Sequence, residues 1–379
     1  MLSAQELLAH AESLTDSVQL VDRILRAGLI LHASDVHLDP FADSLRVRFR
    51  VDGELEEVLR IPAAMQSAVT SRLKVMASMD IAERRAPQDG GFSWRMGAIG
   101  AVGASPLDIR MATLPVRHGE RITLRLLETG GQRLTIDDIG LSVRDRTAVD
   151  GVLARPQGLV LLTGPTGSGK TTTLYAFIRE LLRGAPRNII TVEDPIEYEI
   201  PGVAQAEVDS ADKVNFAKAL KSILRHDPDV VMIGEIRDAE SLDVAVKSAL
   251  TGHLVLSTLH ANSAVGAVTR LRNMGLANHL VSATLRLSIA QRLVRRLCRD
   301  CGGKGCAACS GRGFRGRIGL FELFRPDAEA ARLVADGATE AELLVAARAA
   351  GFVSLAEDAR AKVASGVTTE SEVLKVVAD

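Results

Sequence analysis

The stretch GLVLLTGPTGSGKTTTLYAFIRELL constrains this chain more than any other part of its 379 residues. It places Gly164, Pro165, Thr166, Gly167, Ser168, Gly169, Lys170 and Thr171 between an apolar run that reads as a buried strand and a segment that reads as a helix. A Gly-x-x-x-x-Gly-Lys-Thr loop in that setting is a phosphate cradle. Glycines at 164, 167 and 169 let backbone N–H groups curl around phosphate oxygens without side-chain clashes, and the helix N-terminus adds a dipole that favours negative charge. Lys170 is then expected to neutralise the β- and γ-phosphates. The Thr171 hydroxyl is expected to ligate Mg²⁺, with Thr172 completing the cradle. ATP with Mg²⁺ is the implied ligand, and hydrolysis the implied chemistry.

The pattern around the loop sets the fold class. Past residue 133, short apolar runs (159–164, 188–194, 230–235 and 253–260) alternate with helical stretches, the signature of a parallel sheet covered on both faces by helices. From about Asp327 the chain is helical and Ala-rich. Upstream the pattern differs. Residues 18–32 show helical periodicity in Val18, Val21, Ile24, Leu25, Leu29 and Leu31. LRVRFRVDGEL, DIRMATLPVR and RITLRLLE alternate apolar and charged residues, as strands of a half-exposed antiparallel sheet do, and Asp52-Gly53 reads as a hairpin turn. Residues 62–80 read as a second helix. We therefore expect a small α+β unit over 1–128, a glycine-bearing hinge at 129–133, and an α/β domain over 134–379.

Several acids follow apolar strands. In VVMIGEIRD, Glu235 ends the run and is expected to hold Mg²⁺ or its water, with Asp238 and Asp229 as nearby alternatives. TVEDPIEY supplies Glu193, Asp194 and Glu197, any one of which could orient the attacking water. His260 closes LVLSTLH, where it could sense phosphate or serve as a structural histidine; His253 precedes the same run. The four cysteines fall together as Cys298-x2-Cys301-x4-Cys306-x2-Cys309. Thiolates at this spacing can close a tetrahedral site with no open position, so structural zinc is the expected occupant, against an iron–sulfur cluster or free thiols.

Composition excludes other classes. The formal net charge is −1, aromatics are 3% and Trp94 is the single tryptophan, so neither a basic field nor a stacking platform for nucleic acid is expected. No apolar run approaches the roughly 18 residues needed to cross a bilayer. The N-terminus lacks a basic region followed by an apolar stretch, so no signal peptide is expected and the cytoplasm is the expected compartment.

Taken together, ASDVHLDP, RFRVDGEL, DIAERRAPQDGGF, the phosphate loop, TVEDPIEY, LRHDPDVVMIGEIRDAES, TGHLVLSTLHANSA, the tetracysteine segment, FRGRIGLFEL and GFVSLAEDARAKVASGVTTESEV stand in one order. In that order the chain resembles the secretion ATPases of type II secretion and type IV pilus systems, over about residues 16–376. The resemblance implies a PAS-like N2 domain followed by a RecA-like motor domain, working as a homo-hexamer peripheral to the cytoplasmic face of the inner membrane. There it would drive pseudopilin or pilin assembly through a polytopic platform protein and a docking protein. It makes Glu197 the water-activating glutamate and Glu235 the magnesium-associated one, and it makes Arg110 and Arg125 arginines that reach the γ-phosphate. Two departures are expected to matter. The family's extra N-terminal docking domain would be missing or encoded elsewhere, and the loop between the cysteine pairs is nearly absent. The four cysteines also separate this chain from the retraction ATPases, which lack them.

Overall fold

A computed structural model of the chain describes residues 4–11, 15–95, 107–127, 134–208 and 216–377; the expected hinge at 129–133 lies outside the described residues. The chain divides into two units, Met1–Gln132 and Arg133–Asp379.

The first unit is a six-stranded sheet of β1 (Ala33–Pro40), β2 (Ser44–Val51), β3 (Glu54–Pro62), β4 (Gln88–Trp94), β5 (Leu107–Val116) and β6 (Gly119–Leu127), in the order β3-β2-β1-β6-β5-β4. All its pairings are antiparallel. Alternation decides its faces. Val36, Leu38, Val47, Phe49, Ile109, Met111, Ile122 and Leu124 are buried in one cluster with Leu20, Ile24, Leu25, Val69 and Leu73 from the helices Ser17–Ile30 and Ala63–Met76. The intervening charged residues of β1, β2, β5 and β6 share the opposite face. Asp52 and Gly53 both take left-handed backbone angles, φ 51° and 93°, which the two-residue turn from β2 to β3 requires. The helix expected over 62–80 stops at Met76, and Ser78 turns left-handed just beyond it, at φ 56°.

The second unit is a seven-stranded sheet of β7 (Gly158–Thr163), β8 (Ile189–Glu193), β9 (Ala204–Glu207), β10 (Val230–Ile233), β11 (Leu254–Leu259), β12 (Leu285–Leu297) and β13 (Phe314–Phe324). The order is β13-β12-β7-β11-β10-β8-β9, and every pairing from β12 to β9 is parallel. β13 runs antiparallel to β12. All residues of β7, β8, β10 and β11 are buried, as strands covered on both faces must be. Val160, Leu162, Met232 and Leu256 pack with Leu174, Phe177 and Ile178 of the helix Lys170–Arg183. Leu159, Leu161, Val231 and Val255 pack with Leu242, Val246 and Ala249 of the helix Ala239–Leu250. Neighbouring residues of each strand thus serve opposite layers, and slipping one strand by a single residue would exchange them. The chain ends in the helices Ala328–Ala335, Glu340–Ala349, Leu355–Ala364 and Glu370–Val373. Because β7, β8, β10 and β11 run the same way, their C-terminal ends share one edge, where open α/β sheets bind ligands.

Candidate active site at the strand ends

The phosphate loop leaves β7 at that edge, and glycine is required at both of its ends. Gly169, the residue before the helix Lys170–Arg183, takes φ 86°, and Gly164 takes φ 146°. A Cβ on Gly164 would lie 2.5 Å from the Gln291 carbonyl oxygen; one on Gly169 would lie 2.9 Å from Gln291 Nε2. The loop therefore rests directly on β12. Lys170 Nζ donates to the carbonyls of Gly164 at 2.8 Å and Pro165 at 3.0 Å, so its ammonium is folded back over the loop. Burial lowers the Lys170 pKa; Glu235 opposes that shift and Arg292 adds to it. Pro165, Thr166 and Gly167 are exposed, Ser168 is buried, and Thr171 and Thr172 are half-buried.

Two strands away, Glu235 follows β10. Its Oε1 lies 2.8 Å from His260 Nε2 and its Oε2 lies 2.9 Å from Arg237 Nε. His260 projects from the end of β11 and is exposed, whereas Glu235 is half-buried. Arg237 also reaches Asp194 at 3.3 Å. The other acids near this strand are committed elsewhere. Asp229 accepts from the Asn188 N–H at the start of β10, the opposite edge of the sheet. Asp238 caps the helix Ala239–Leu250 by accepting from the Ser241 N–H at 2.7 Å. His253 precedes β11, and its Nδ1 lies 3.0 Å from the Ser248 carbonyl oxygen.

The TVEDPIEY acids divide sharply. Glu193 is 2% exposed; it accepts from the Tyr175 hydroxyl, from Thr191 Oγ1 at 2.6 Å and from Gln205 Nε2 at 3.0 Å. Asp194 is exposed and paired with Arg237. Glu197 is exposed, and its carboxylate has no hydrogen-bond or ion-pair partner among the described residues.

The cysteines lie between β12 and β13. Their four sulfurs are all within 4.8 Å of one another, and Cys298–Cys306, Cys301–Cys309 and Cys306–Cys309 are each 3.8 Å apart. A tetrahedral ion with thiolates at about 2.3 Å spaces them by about 3.8 Å. The Cys306 and Gly313 N–H groups donate to Cys309 Sγ at 3.2 and 3.3 Å. This donor set fits a closed thiolate-bound metal, and the approach of backbone N–H groups suits a sulfur that carries negative charge.

In the first unit, Arg110 and Arg125 are direct cross-strand partners on β5 and β6, and Arg125 faces Asp35 of β1 across the next pairing. Arg125 Nε donates to Asp35 Oδ1 at 3.3 Å. Neither Nη of Arg125 has a partner among the described residues, and Arg110 has no ion pair there. Like charges placed directly opposite repel unless an anion joins them.

A family model described as "Type II/IV secretion system protein" matches residues 10–375. The chain belongs to that family. The type II secretion system protein HxcR of Pseudomonas aeruginosa is 46% identical over 370 residues, covering 96% of this chain and 77% of its own. The type IV pilus assembly ATPase PilB of Myxococcus xanthus is 42% identical over 395 residues, covering 97% and 69%. The solved structure of the pilus retraction motor PilT with bound ADP is 27% identical, with a TM-score of 0.66 over 95% of this chain and 97% of that one. For this family member the α/β class, the parallel sheet carrying the phosphate loop, the helical C-terminal part and the four-cysteine cluster agree with the expectations.

Three residues at the edge escaped sequence reasoning. Arg237 bridges Glu235 and Asp194. Gln291 Oε1 accepts from Thr173 Oγ1 at 2.9 Å and floors the loop; Arg292 Nη2 donates to the Asn262 carbonyl at 3.2 Å. Gln291 and Arg292 lie in QRLVRRL, whose alternation could have flagged a strand, though nothing in it says which strand lies beside β7.

Proposed function

We propose that this chain is the ATP-hydrolysing motor of a type II secretion apparatus. It is an ATPase of the secretion family. The observation that carries the type II reading is 46% identity to a type II secretion protein over nearly the whole chain. Extension of a type IV pilus is the second reading, on 42% identity to a pilus assembly ATPase. A nucleic-acid translocase would need a basic field, and a net charge of −1 does not supply one.

In this reading the loop N–H groups and Lys170 take the ATP phosphates, and Lys170 leaves the Gly164 and Pro165 carbonyls to do so. Thr171 and Glu235 would hold Mg²⁺ or its water, which screens the β- and γ-phosphate charge. His260 keeps the Glu235 carboxylate turned toward Lys170. Glu197 accepts a proton from water as the water oxygen attacks the γ-phosphorus and the bond to ADP breaks. Its free carboxylate supports that role, whereas Glu193 is spent on its three donors and Asp194 on Arg237. Arg110 and Arg125 neutralise the charge spreading over the γ-phosphoryl oxygens, a service that can be worth about 10³–10⁵ in rate. Cys298, Cys301, Cys306 and Cys309 hold a structural zinc that closes the β12–β13 hairpin.

The first unit takes the part of a PAS-like N2 domain and the second that of a RecA-like motor domain. The motor acts as a homo-hexamer at the cytoplasmic face of the inner membrane, held there by a platform protein and a docking protein. No helix among the described residues is long and apolar enough to cross a membrane itself. Glu197→Gln tests the assignment. ATP binding, followed with a fluorescent analogue, should persist while phosphate release falls by about 10²-fold; normal hydrolysis would move the role off Glu197.

A further inference from the structure

The loop His260–Ala264 follows β11 at the nucleotide edge and is fastened along its length. The Thr163 hydroxyl, at the root of the phosphate loop, donates to the Ala261 carbonyl at 2.5 Å and accepts from the Ala261 N–H at 2.7 Å. Arg292 holds the Asn262 carbonyl, and Ser263 Oγ donates to Glu340 Oε1 at 2.8 Å. The Ala264 N–H donates to Glu322 Oε1 at 2.8 Å.

Glu322 stands apart from the other fasteners. It lies on β13, is 7% exposed, and has no cation within ion-pair distance among the described residues. Its second oxygen accepts from the N–H of Leu355 at 3.2 Å, the residue that opens the helix Leu355–Ala364. A carboxylate buried without a paired cation is costly. The cost shows in its acidity: burial pushes the Glu322 carboxyl up, against the pull of the Ala264 and Leu355 N–H groups and of Arg292 and Arg348. A carboxylate offers two acceptor oxygens on one rigid plane, so it can hold two separate segments at a set spacing. An amide offers one acceptor, and its NH₂ would face an N–H.

We propose that Glu322 is a positioning residue for ATP hydrolysis: it fixes the His260–Ala264 loop against the helix Leu355–Ala364 and so sets where His260 holds Glu235. The inference rests on the reading of Glu235 and His260 as parts of the nucleotide site. It makes the C-terminal helices, remote from the phosphates in sequence, part of what keeps that site in register.

A double-mutant cycle in the full-length protein tests it, with steady-state ATPase assays and titration of a fluorescent ADP analogue. Glu322→Gln should lower kcat by about 10–100-fold, while KM for ATP and ADP affinity stay within about threefold. In a His260→Ala background, Glu322→Gln should cost little more, because both changes act through one contact. Wild-type kcat in Glu322→Gln, or factors that simply multiply in the double variant, would overturn the inference while leaving the site reading standing. A silent His260→Ala would instead bring down the site reading, and the inference with it. Where Glu322→Gln does not accumulate as folded protein, Glu340→Ala removes the acceptor of the Ser263 hydroxyl and loosens the same loop from its exposed side; it should lower kcat non-additively with His260→Ala, and wild-type kcat there would overturn the inference.

Discussion

Glu193 and Glu235 stand at the ends of adjacent parallel strands, at the same edge of one sheet, and their surroundings have nothing in common. Glu193 is sealed: Tyr175, Thr191 and Gln205 spend its oxygens on hydroxyl and amide donors. Burial, and then the hydrogen bond to Glu193, raise the Tyr175 pKa, so the phenol remains a donor at any ordinary pH. Glu235 is open: its partners are an exposed histidine and an exposed arginine, and it is the acid whose charge reaches Lys170. Position at the strand end does not by itself make an acid functional. The layer behind it decides, and for Glu193 that layer is the helix leading out of the phosphate loop, which brings Tyr175 beneath it.

The sharpest way to break this contrast is to neutralise each acid in turn. Glu235→Gln should lower turnover by about 10–100-fold, as loss of a group that orients a metal or its water does, with little change in melting temperature. Glu193→Gln should do the reverse. It strands donors in a buried site and should cost about 1–3 kcal/mol of stability, while phosphate release per folded molecule stays near wild type. Phosphate-release kinetics and thermal melts on the same preparations check both. A stable Glu193→Gln with turnover as low as that of Glu235→Gln would erase the distinction.

The cysteine knuckle is the contrast at its extreme, a site sealed entirely by its own ligands. Metal analysis after reducing, anaerobic purification should find one zinc per chain. Cys301→Ser should lower the melting temperature while leaving ADP affinity unchanged, because binding energy in a closed site is folding energy. A metal-free chain of unchanged stability would mean that four thiols, rather than a metal, close the hairpin.

How much of this was legible beforehand follows from the range of the interactions. The phosphate loop is a local device: its glycines, lysine and threonine are neighbours in sequence, and the strand and helix around it are local too. The Asp52-Gly53 turn is legible for the same reason. Arg110 and Arg125 were fifteen residues apart on alternating segments, and a hairpin made them cross-strand partners. Glu193, Asp194 and Glu197 could not be told apart, because Tyr175 and Gln205 reach Glu193 through pairing and packing that no local pattern encodes. Gln291, Arg292 and Glu322 were missed for that reason as well. Their roles depend on β12 lying beside β7, and on β13 carrying the C-terminal helices to the loop after β11.

A third glutamate refines the contrast with the smallest effect. Glu372, near the C-terminus, is 4% exposed, yet its seal is cationic: Arg295 Nη2 lies 2.7 Å from Oε1 and Arg295 Nε 2.9 Å from Oε2, with Lys375 also 2.7 Å from Oε1. The bond from Arg295 is the main reason its carboxyl falls to about 2, with Lys375 adding to it and burial opposing. A carboxyl sealed by cations thus moves down, where Glu322, held by backbone N–H groups with no paired cation among the described residues, moves up. The sign of the linkage follows. Glu372 is more acidic in the folded chain than the roughly 4.3 of an unfolded glutamate, so its contribution to stability is fully present above that value. It is lost as pH falls through the folded value near 2. Between about pH 5 and 2, wild type should therefore lose more melting temperature than Glu372→Gln, which lacks the titrating group; all other carboxyls are common to both and cancel in the difference. Parallel melting curves across that range would mean that the Arg295–Glu372 pair carries no net stability, and that a cationic seal contributes to this fold no more than a neutral one.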